Sequence, residues 1–353
     1  MFAVKSTLIS AVIVAGALAI VVLLVLGPKL EAAAPAAAPP RPAAATRPVP
    51  PSLTGVRILD STQHAGRPAR LHPSRHLLRA ETTHSYWSPR RQDIEIKAFH
   101  IRRNRSVATL DMEIVRGVEG SFPTGNEEPE TFRRAIEPRV NYVRDFRAKL
   151  GDGWPIGAYA LLPNAQSYAP AVYKAFNDPT ADAWRRNPDH PDVKPHLEKW
   201  AKWREGNDAI AKVMLPHLDF LCPQLYVWTD DRPFWGWMLS GTIEETRRVG
   251  GGKPIYPFLM PHWWEVDDNP QAGQPIPYEF FKHQLDTCLA VCDGVVIWGG
   301  LGVRYDPRAG WVRALREKLD ELDAADARAA QTRPATGPAT KSARPTPPRP
   351  SNP

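Results

Sequence analysis

The sequence predicts an α/β fold with a parallel sheet, and three observations support this prediction. Apolar segments of strand length alternate with segments of helical periodicity through the middle of the chain. Five such strands fall within about 200 residues, a spacing that suits a closed barrel better than an open sheet. No glycine-rich phosphate loop follows the first of them. Together these features predict a (β/α)8-type TIM barrel.

The predicted elements alternate regularly from Val107 onward. The helices carry apolar residues at three- and four-residue steps, as at Phe132, Ile136 and Val140. The predicted strands are 107–115, 155–162, 218–228, 253–260 and 294–298, and the predicted helices are 131–150, 197–215, 242–249, 278–291 and 311–322. Because only about 55 residues separate Ser52 from Val107, too few for three full strand–helix units, we expect the barrel to be incomplete or distorted in its first strands.

The two ends of the chain differ from this middle part. Lys5 precedes an apolar run from Leu8 to Leu26, so residues 1–28 are predicted to be a signal peptide or signal anchor. Residues 29–51 form an Ala/Pro-rich linker, 52–322 the barrel, and 323–353 a disordered Ala/Pro/Arg tail. We therefore expect an extracytoplasmic protein, either secreted or anchored to the membrane through its N-terminal apolar segment.

The positive charge of the chain lies in these ends. The net charge is +7, of which residues 1–50 contribute +3 and residues 324–353 contribute +4, so the body is close to neutral. A neutral body gives no electrostatic basis for binding a nucleic acid. We therefore expect no nucleic-acid partner.

The spacing of the cysteines and histidines indicates neither a metal site nor a redox-active cysteine pair. The three cysteines form no CxxC pair, the ten histidines include no HExxH, and none of them has a ligand-like partner at short spacing. Cys222 lies in an apolar strand and is expected to be a small buried hydrophobe. The motifs predict no specific metal site.

Two acids in the strand at Val107–Val115 are the main candidates for catalysis. Asp111 and Glu113 are two residues apart and therefore project to the same face, opposite Leu110 and Met112. Active sites of barrels lie at the carboxyl ends of strands. Burial and like-charge proximity would raise the pKa of one carboxyl and leave an acid able to protonate a leaving oxygen.

Three other strand ends carry groups suited to binding sugar. Gln224 and Tyr226 follow one strand, His262 and Trp263 follow the next, and Trp298 ends the last, before two glycines that would allow a ligand to approach closely. Each of these aromatic residues could equally fill the core. Their occurrence in order at successive strand ends favours a site.

These motifs resemble those of the hyaluronidase family of glycoside hydrolases over about 60% of the chain, from Val107 to Leu319. The family has an Asp-x-Glu at the end of its fourth strand, matched by Asp111 and Glu113. The segments that resemble its next motifs are Gly157-Ala158-Tyr159-Ala160-Leu161-Leu162-Pro163, Cys222-Pro223-Gln224-Leu225-Tyr226 and Gly294-Val295-Val296-Ile297-Trp298-Gly299. The chain departs from the family pattern after the acidic pair, at Ile114-Val115-Arg116-Gly117, and at Asn164, where the family has a cysteine.

The resemblance implies a retaining, substrate-assisted mechanism on a polysaccharide that contains N-acetylhexosamine. Glu113 would be the general acid/base, and Asp111 and Tyr226 would orient the substrate's acetamido group. Trp298 would form the floor of the sugar subsite, and no metal or organic cofactor would be needed. Tyr159, Gln224, His262 and Trp263 are the further substrate-binding candidates.

Two alternatives remain open on the sequence. A non-catalytic carbohydrate-binding or cell-envelope scaffold protein, built on a degenerate barrel, is compatible with the shortened N-terminal half and the apolar segment. A hydrolase of another class would use His262 with Asp230 or Glu265 as a base–acid pair, but no Gly-x-Ser-x-Gly nucleophile elbow is present.

Overall fold

The computed structural model describes residues 49–84, 91–112, 123–164, 191, 194–264, 270–300 and 302–332. The chain divides into two compact units, Met1–Arg47 and Pro48–Pro353, and all of the described residues belong to the second. Within them, no helix combines the length and apolar composition that a membrane span needs. The N-terminal apolar segment lies outside the described residues, so its role as a signal or anchor stays a prediction.

Among the described residues, seven parallel strands form one sheet in the order β5-β4-β3-β2-β1-β7-β6. The strands are β1 (Ile58–Thr62), β2 (Leu77–His84), β3 (Val107–Asp111), β4 (Ile156–Tyr159), β5 (Phe220–Cys222), β6 (Phe258–Leu259) and β7 (Val295–Gly299). Parallel bridges pair Leu221 with Ile255 and Gln224 with Phe258, and so connect the two outermost strands of the sheet. The predicted barrel class is confirmed as a nearly closed ring of strands.

In the described part of the chain, six α-helices accompany the strands: α1 (Arg91–Asn104), α2 (Pro129–Leu150), α3 (Lys194–Met214), α4 (Arg232–Val249), α5 (Tyr278–Val291) and α6 (Gly310–Thr332). Helix α4 begins ten residues before the predicted start at Thr242. The Asp231 side chain caps it by accepting a 2.9 Å hydrogen bond from the Phe234 amide, and Pro233 occupies the first turn. The apolar periodicity alone predicts too short a helix, because the capping residue and the first turn lie outside the periodic part.

The first strand–helix unit lacks its helix, since residues 63–76 run from β1 to β2 as a loop. On the outer face of β1 this loop meets the buried Asp60, which forms an ion pair with Arg67. Asp60 also accepts hydrogen bonds from the amide and the hydroxyl of Thr62, at 3.1 and 2.8 Å. A polar cluster therefore covers β1 where a helix normally would, which explains how the short N-terminal half still contributes two strands.

The last helix continues ten residues beyond the predicted boundary of the barrel at 322. Its acidic side chains bind the loop that precedes β2: Ser74 donates to Asp323 at 2.8 Å, and His76 lies 2.8 Å from Asp326. His72 lies 3.2 Å from Asp320. Residues 323–332 were predicted to belong to the disordered tail. They instead form helix, because these contacts compensate for the loss of chain entropy.

Alternating strand residues separate the barrel interior from the layer beneath the helices. The interior cluster is built from Leu59, Ala80, Val107, Tyr159, Phe220, Cys222, Phe258 and Val296. Ala108, Leu110 and Met112 pack in the outer layer against α2. The interior packs tightly at β4, where a Cβ on Gly157 would lie 2.3 Å from the Phe220 ring.

We predict that Asp60→Asn lowers the free energy of unfolding by about 3 kcal/mol, because it leaves the mostly buried Arg67 without its counter-charge. Urea unfolding followed by circular dichroism measures this change. The matched control is Glu130→Gln on α2, whose ion pair with Arg133 is exposed, and which should change stability by no more than about 0.5 kcal/mol. Equal effects of the two substitutions would contradict a supporting role for Asp60.

Candidate active site at the barrel mouth

Asp111 is the last residue of β3 and lies at the carboxyl end of the ring of strands. Its Cα is in register with those of His84 on β2 and Tyr159 on β4. The side chain points away from Leu110 and Met112, as strand alternation predicts, and it is only 6% exposed. Glu113, the predicted acid/base, lies outside the described residues, and so does the segment 113–122 that follows Asp111.

A chain of hydroxyl groups crosses the interior just below Asp111. Ser61, Thr82 and Thr109 lie on three adjacent strands, and their side-chain oxygens are joined by contacts of 2.5 and 2.8 Å. Sequence reasoning missed this chain, although alternation places Thr109 on the same face as Asp111. It satisfies polar groups that would otherwise be buried without partners, and it gives the wall on this side of the mouth a fixed hydrogen-bond pattern.

Three of the predicted substrate-binding residues, Tyr159, Gln224 and Trp298, lie in one row with Tyr226, which was predicted to be catalytic. Gln224 donates a 2.7 Å hydrogen bond to the Tyr159 hydroxyl. The Tyr159 and Tyr226 rings are stacked at 5.7 Å, and the Tyr226 and Trp298 rings at 5.8 Å. The strand ends of β4, β5 and β7 are thereby linked into one aromatic surface.

A cavity of about 360 Å³ adjoins this row, after β6 and β7. It is lined by Met260, His262, Trp263, Trp264, Gly273, Trp298, Gly299, Gly300 and Val303, and we call it the β6–β7 pocket. Trp263 contributes little exposed surface, since it is buried in the core against Phe280 at 5.7 Å. Trp264, which sequence reasoning did not select as a site residue, is half-buried, and its ring lies 5.8 Å from that of Tyr226.

The glycine pair after Trp298 packs against a residue from the loop that follows β1. Gly300 has φ of 82°, and a Cβ there would lie 2.2 Å from Nδ1 of His64, so the pocket wall is backbone packed directly on this imidazole. The His64 ring is also stacked on Trp311 at 5.2 Å. No local pattern predicts a contact between residues 236 positions apart, and His64 was therefore missed.

His64 and His262 are both buried, and their rings lie 5.4 Å apart. Burial, together with the nearby His262 and Arg67, lowers the pKa of His64 from its ordinary value to about 4. Burial also lowers the pKa of His262. Both imidazoles are thus neutral hydrogen-bonding groups near pH 7.

The alternative base–acid pairs of His262 gain no support. Asp230 is exposed, and these two described residues share neither a hydrogen bond nor an ion pair. Glu265 lies outside the described residues. Over the described ranges, no group of three or more His, Cys, Asp or Glu side chains is arranged to hold a metal ion.

The described residues form a TIM-barrel-like α/β fold. Comparison with known proteins finds only solved structures of similar fold. No family model and no curated protein matches the chain. Among solved structures, a Cellulomonas fimi endo-β-1,4-mannanase double mutant is 14% identical, with 76% of this chain and 71% of that chain covered and a TM-score of 0.42.

Two further solved structures are similar at the same level. A ruminal GH26 endo-β-1,4-mannanase is 10% identical over 76% of this chain and 62% of that one, with a TM-score of 0.31. A D-psicose 3-epimerase from Clostridium cellulolyticum H10, solved with D-tagatose, is 14% identical over 71% and 88%, with a TM-score of 0.34. Similarity at this level does not define an activity for this chain, and the hyaluronidase family is not confirmed.

We predict that His64 makes the protein less stable in acid. Its folded-state pKa of about 4 lies below its ordinary value of 6.5, so the unfolded chain binds the proton more readily, and stability falls as the pH drops from 6.5 towards 4. Replacing His64 by Gln should reduce this fall by about 2 kcal/mol. Urea unfolding at pH 7 and pH 4.5 measures the difference, with the exposed His100→Gln as control. An unchanged pH dependence would show that His64 is accessible to protons in the folded state.

Proposed function

We propose that this chain is a glycoside hydrolase that cleaves a polysaccharide containing N-acetylhexosamine by a hyaluronidase-like mechanism. The observation that carries the proposal is the position of Asp111. This carboxyl ends β3 at the barrel mouth, with Cα in register with Tyr159, and Tyr159 begins the row that continues through Tyr226 to Trp298. An acid next to one end of an aromatic row at the barrel mouth is an arrangement suited to binding and cleaving a sugar chain.

The proposed chemistry needs two proton transfers and no metal. Glu113 donates its proton to the glycosidic oxygen while the acetamido oxygen of the substrate attacks the anomeric carbon, so that the bond to the leaving sugar breaks and a charged oxazolinium ring forms. Water then attacks the same carbon and gives its proton to Glu113, which restores both the acid and the acetamido group. The configuration at the anomeric carbon is retained.

Asp111 and Tyr226 are proposed to act on the acetamido group. The Asp111 carboxylate accepts the acetamide N–H and balances the positive charge that develops on the ring, while the Tyr226 hydroxyl orients the attacking oxygen. The hydroxyl chain through Thr82 and Thr109 supports this side of the mouth. Trp298, half-buried and stacked on Tyr226, is suited to contact the apolar face of the reacting sugar.

A second candidate function, a non-catalytic carbohydrate-binding or cell-envelope scaffold protein, is favoured by one observation. The β6–β7 pocket is aromatic, and the described residues that line it include no carboxylate, so it could hold a sugar without any chemistry. Binding of a polysaccharide without cleavage would favour this function.

We also infer that the chain is exported, on the basis of the apolar run from Leu8 to Leu26. The polysaccharide substrate would then be met outside the cytoplasm, by a body that is anchored through this segment or released from it.

We predict that Glu113→Gln abolishes hydrolysis and leaves the fold intact, because the amide keeps the shape of the side chain but has no proton to transfer. General acid catalysis contributes about 10²–10⁴-fold, so activity should fall by at least this factor. Reducing-end release from N-acetylhexosamine polymers measures it, with the exposed Glu130→Gln as matched control. Full activity in the Glu113 variant would rule out this residue as the acid.

We predict that Asp111→Asn lowers kcat by about 10²-fold and changes KM little, because charge stabilisation is needed mainly in the transition state. Steady-state kinetics on the same polymer separate the two constants. If kcat and substrate affinity fall by the same factor, Asp111 has a structural role at the strand end instead.

A further inference from the structure

The β6–β7 pocket has the size and position of a sugar subsite. Its volume of about 360 Å³ is near the lower end of the range for ligand cavities, about 300–1,000 Å³, so it would take a short part of a polymer. Trp298 belongs both to the pocket and to the aromatic row. A chain bound along the row would therefore continue into the pocket.

Two half-buried indoles form the walls of this pocket. The Trp264 and Trp298 rings each lie 5.8 Å from the Tyr226 ring, the first edge-on and the second stacked. Trp264 is held in place by its backbone, since its amide donates a 2.7 Å hydrogen bond to the Val227 carbonyl. Rigid aromatic faces of this kind bind the apolar face of a pyranose ring at low entropic cost.

The charges around the pocket do not suit an anionic sugar. None of the described residues that line it is Lys or Arg, and the single titratable side chain among them is His262, whose pKa is lowered by burial. Behind Gly300, His64 is also neutral near pH 7, with a pKa of about 4. The nearby Arg67 is ion-paired with Asp60, and Arg304 is exposed and does not line the cavity.

A uronic acid bound here would therefore lose hydration without gaining a counter-charge, which costs free energy. Neutral imidazole, in contrast, both donates and accepts hydrogen bonds and thus matches a hydroxyl group.

We propose that the β6–β7 pocket is a subsite for an uncharged sugar. The natural polymer is then a neutral N-acetylhexosamine polysaccharide, and the sugar residue bound in the pocket is not a uronic acid. The cleavage part of this statement rests on the proposed function. The binding part does not.

Binding by the full-length Glu113→Gln protein, kept in detergent, tests the proposal without consuming the ligand. Isothermal titration compares three oligosaccharides of equal length: a β-1,4-linked N-acetylglucosamine oligomer, a hyaluronan oligomer, and the same hyaluronan oligomer with its carboxyl groups reduced to alcohols. We expect both uncharged oligomers to bind at least about tenfold more tightly than native hyaluronan. Native hyaluronan binding as tightly as its reduced form, or no oligomer binding at all, would overturn the proposal.

Two substitutions locate the effect. Trp264→Ala should weaken binding of the neutral oligomer about tenfold, whereas Trp200→Ala, on α3 and outside the pocket, should not. Val303 lines the pocket and is 42% exposed, so Val303→Lys should fold normally and selectively strengthen hyaluronan binding. Ile96→Lys, on the exposed face of α1, is its control. Unchanged binding in both pocket variants would refute the assignment.

The outcomes for the two proposals can be told apart. If the wild-type chain cleaves none of the three polymers but its pocket binds the neutral oligomers, the glycosidase proposal fails and the subsite proposal stands. If the wild-type chain cleaves hyaluronan in preference to its reduced form, the glycosidase proposal stands and the subsite proposal fails.

Discussion

The backbone pairing of β5 and the residues after it with the segment around β6 is the constraint on which the site depends. The Leu221 amide donates to the Pro254 carbonyl, the Phe258 amide to Pro223, and the Leu225 amide to Phe258, at 2.8–3.0 Å. In an open sheet of the same strand order, β5 and β6 would be the two distant edges. Closure brings Tyr226 beside Trp264 and Trp298, so the aromatic surface exists only because the ring is completed.

The same closure decides which features the sequence could predict. The positions of the strand ends and the inward direction of the Asp111 side chain follow from the two-residue alternation of a strand. Five strands and the helices between them could be located from local periodicity alone. The connection between β1 and β2 could not be predicted in this way. It contains a loop and a buried ion pair of Asp60 in place of an apolar helix, so its sequence shows no periodic pattern. The helical extension past Leu322 depends on contacts with a loop about 250 residues earlier, and the packing of His64 on Gly300 is equally remote.

The site was predicted in part for a related reason. Tyr159, Gln224, Tyr226 and Trp298 follow strands, and parallel strands bring their carboxyl ends to one edge, so their proximity follows from topology. How deeply each of two adjacent tryptophans is buried depends on loop geometry. Both border the cavity, but Trp263 is buried in the core and Trp264 is only half-buried, although the two are indistinguishable in sequence. The near-neutral charge of the body agrees with a site that holds no cation among its described lining residues.

The pairing of β1 with β7 has a consequence for how the chain is made. Ile58–Thr62 pairs on one side with β2, but on the other with Val295–Gly299, and the loop before β2 is fastened to the end of α6. One edge of the first strand therefore stays unpaired until nearly the whole body has left the ribosome. Folding is thus expected to finish after synthesis, and partly made chains expose a strand edge that chaperones have to cover.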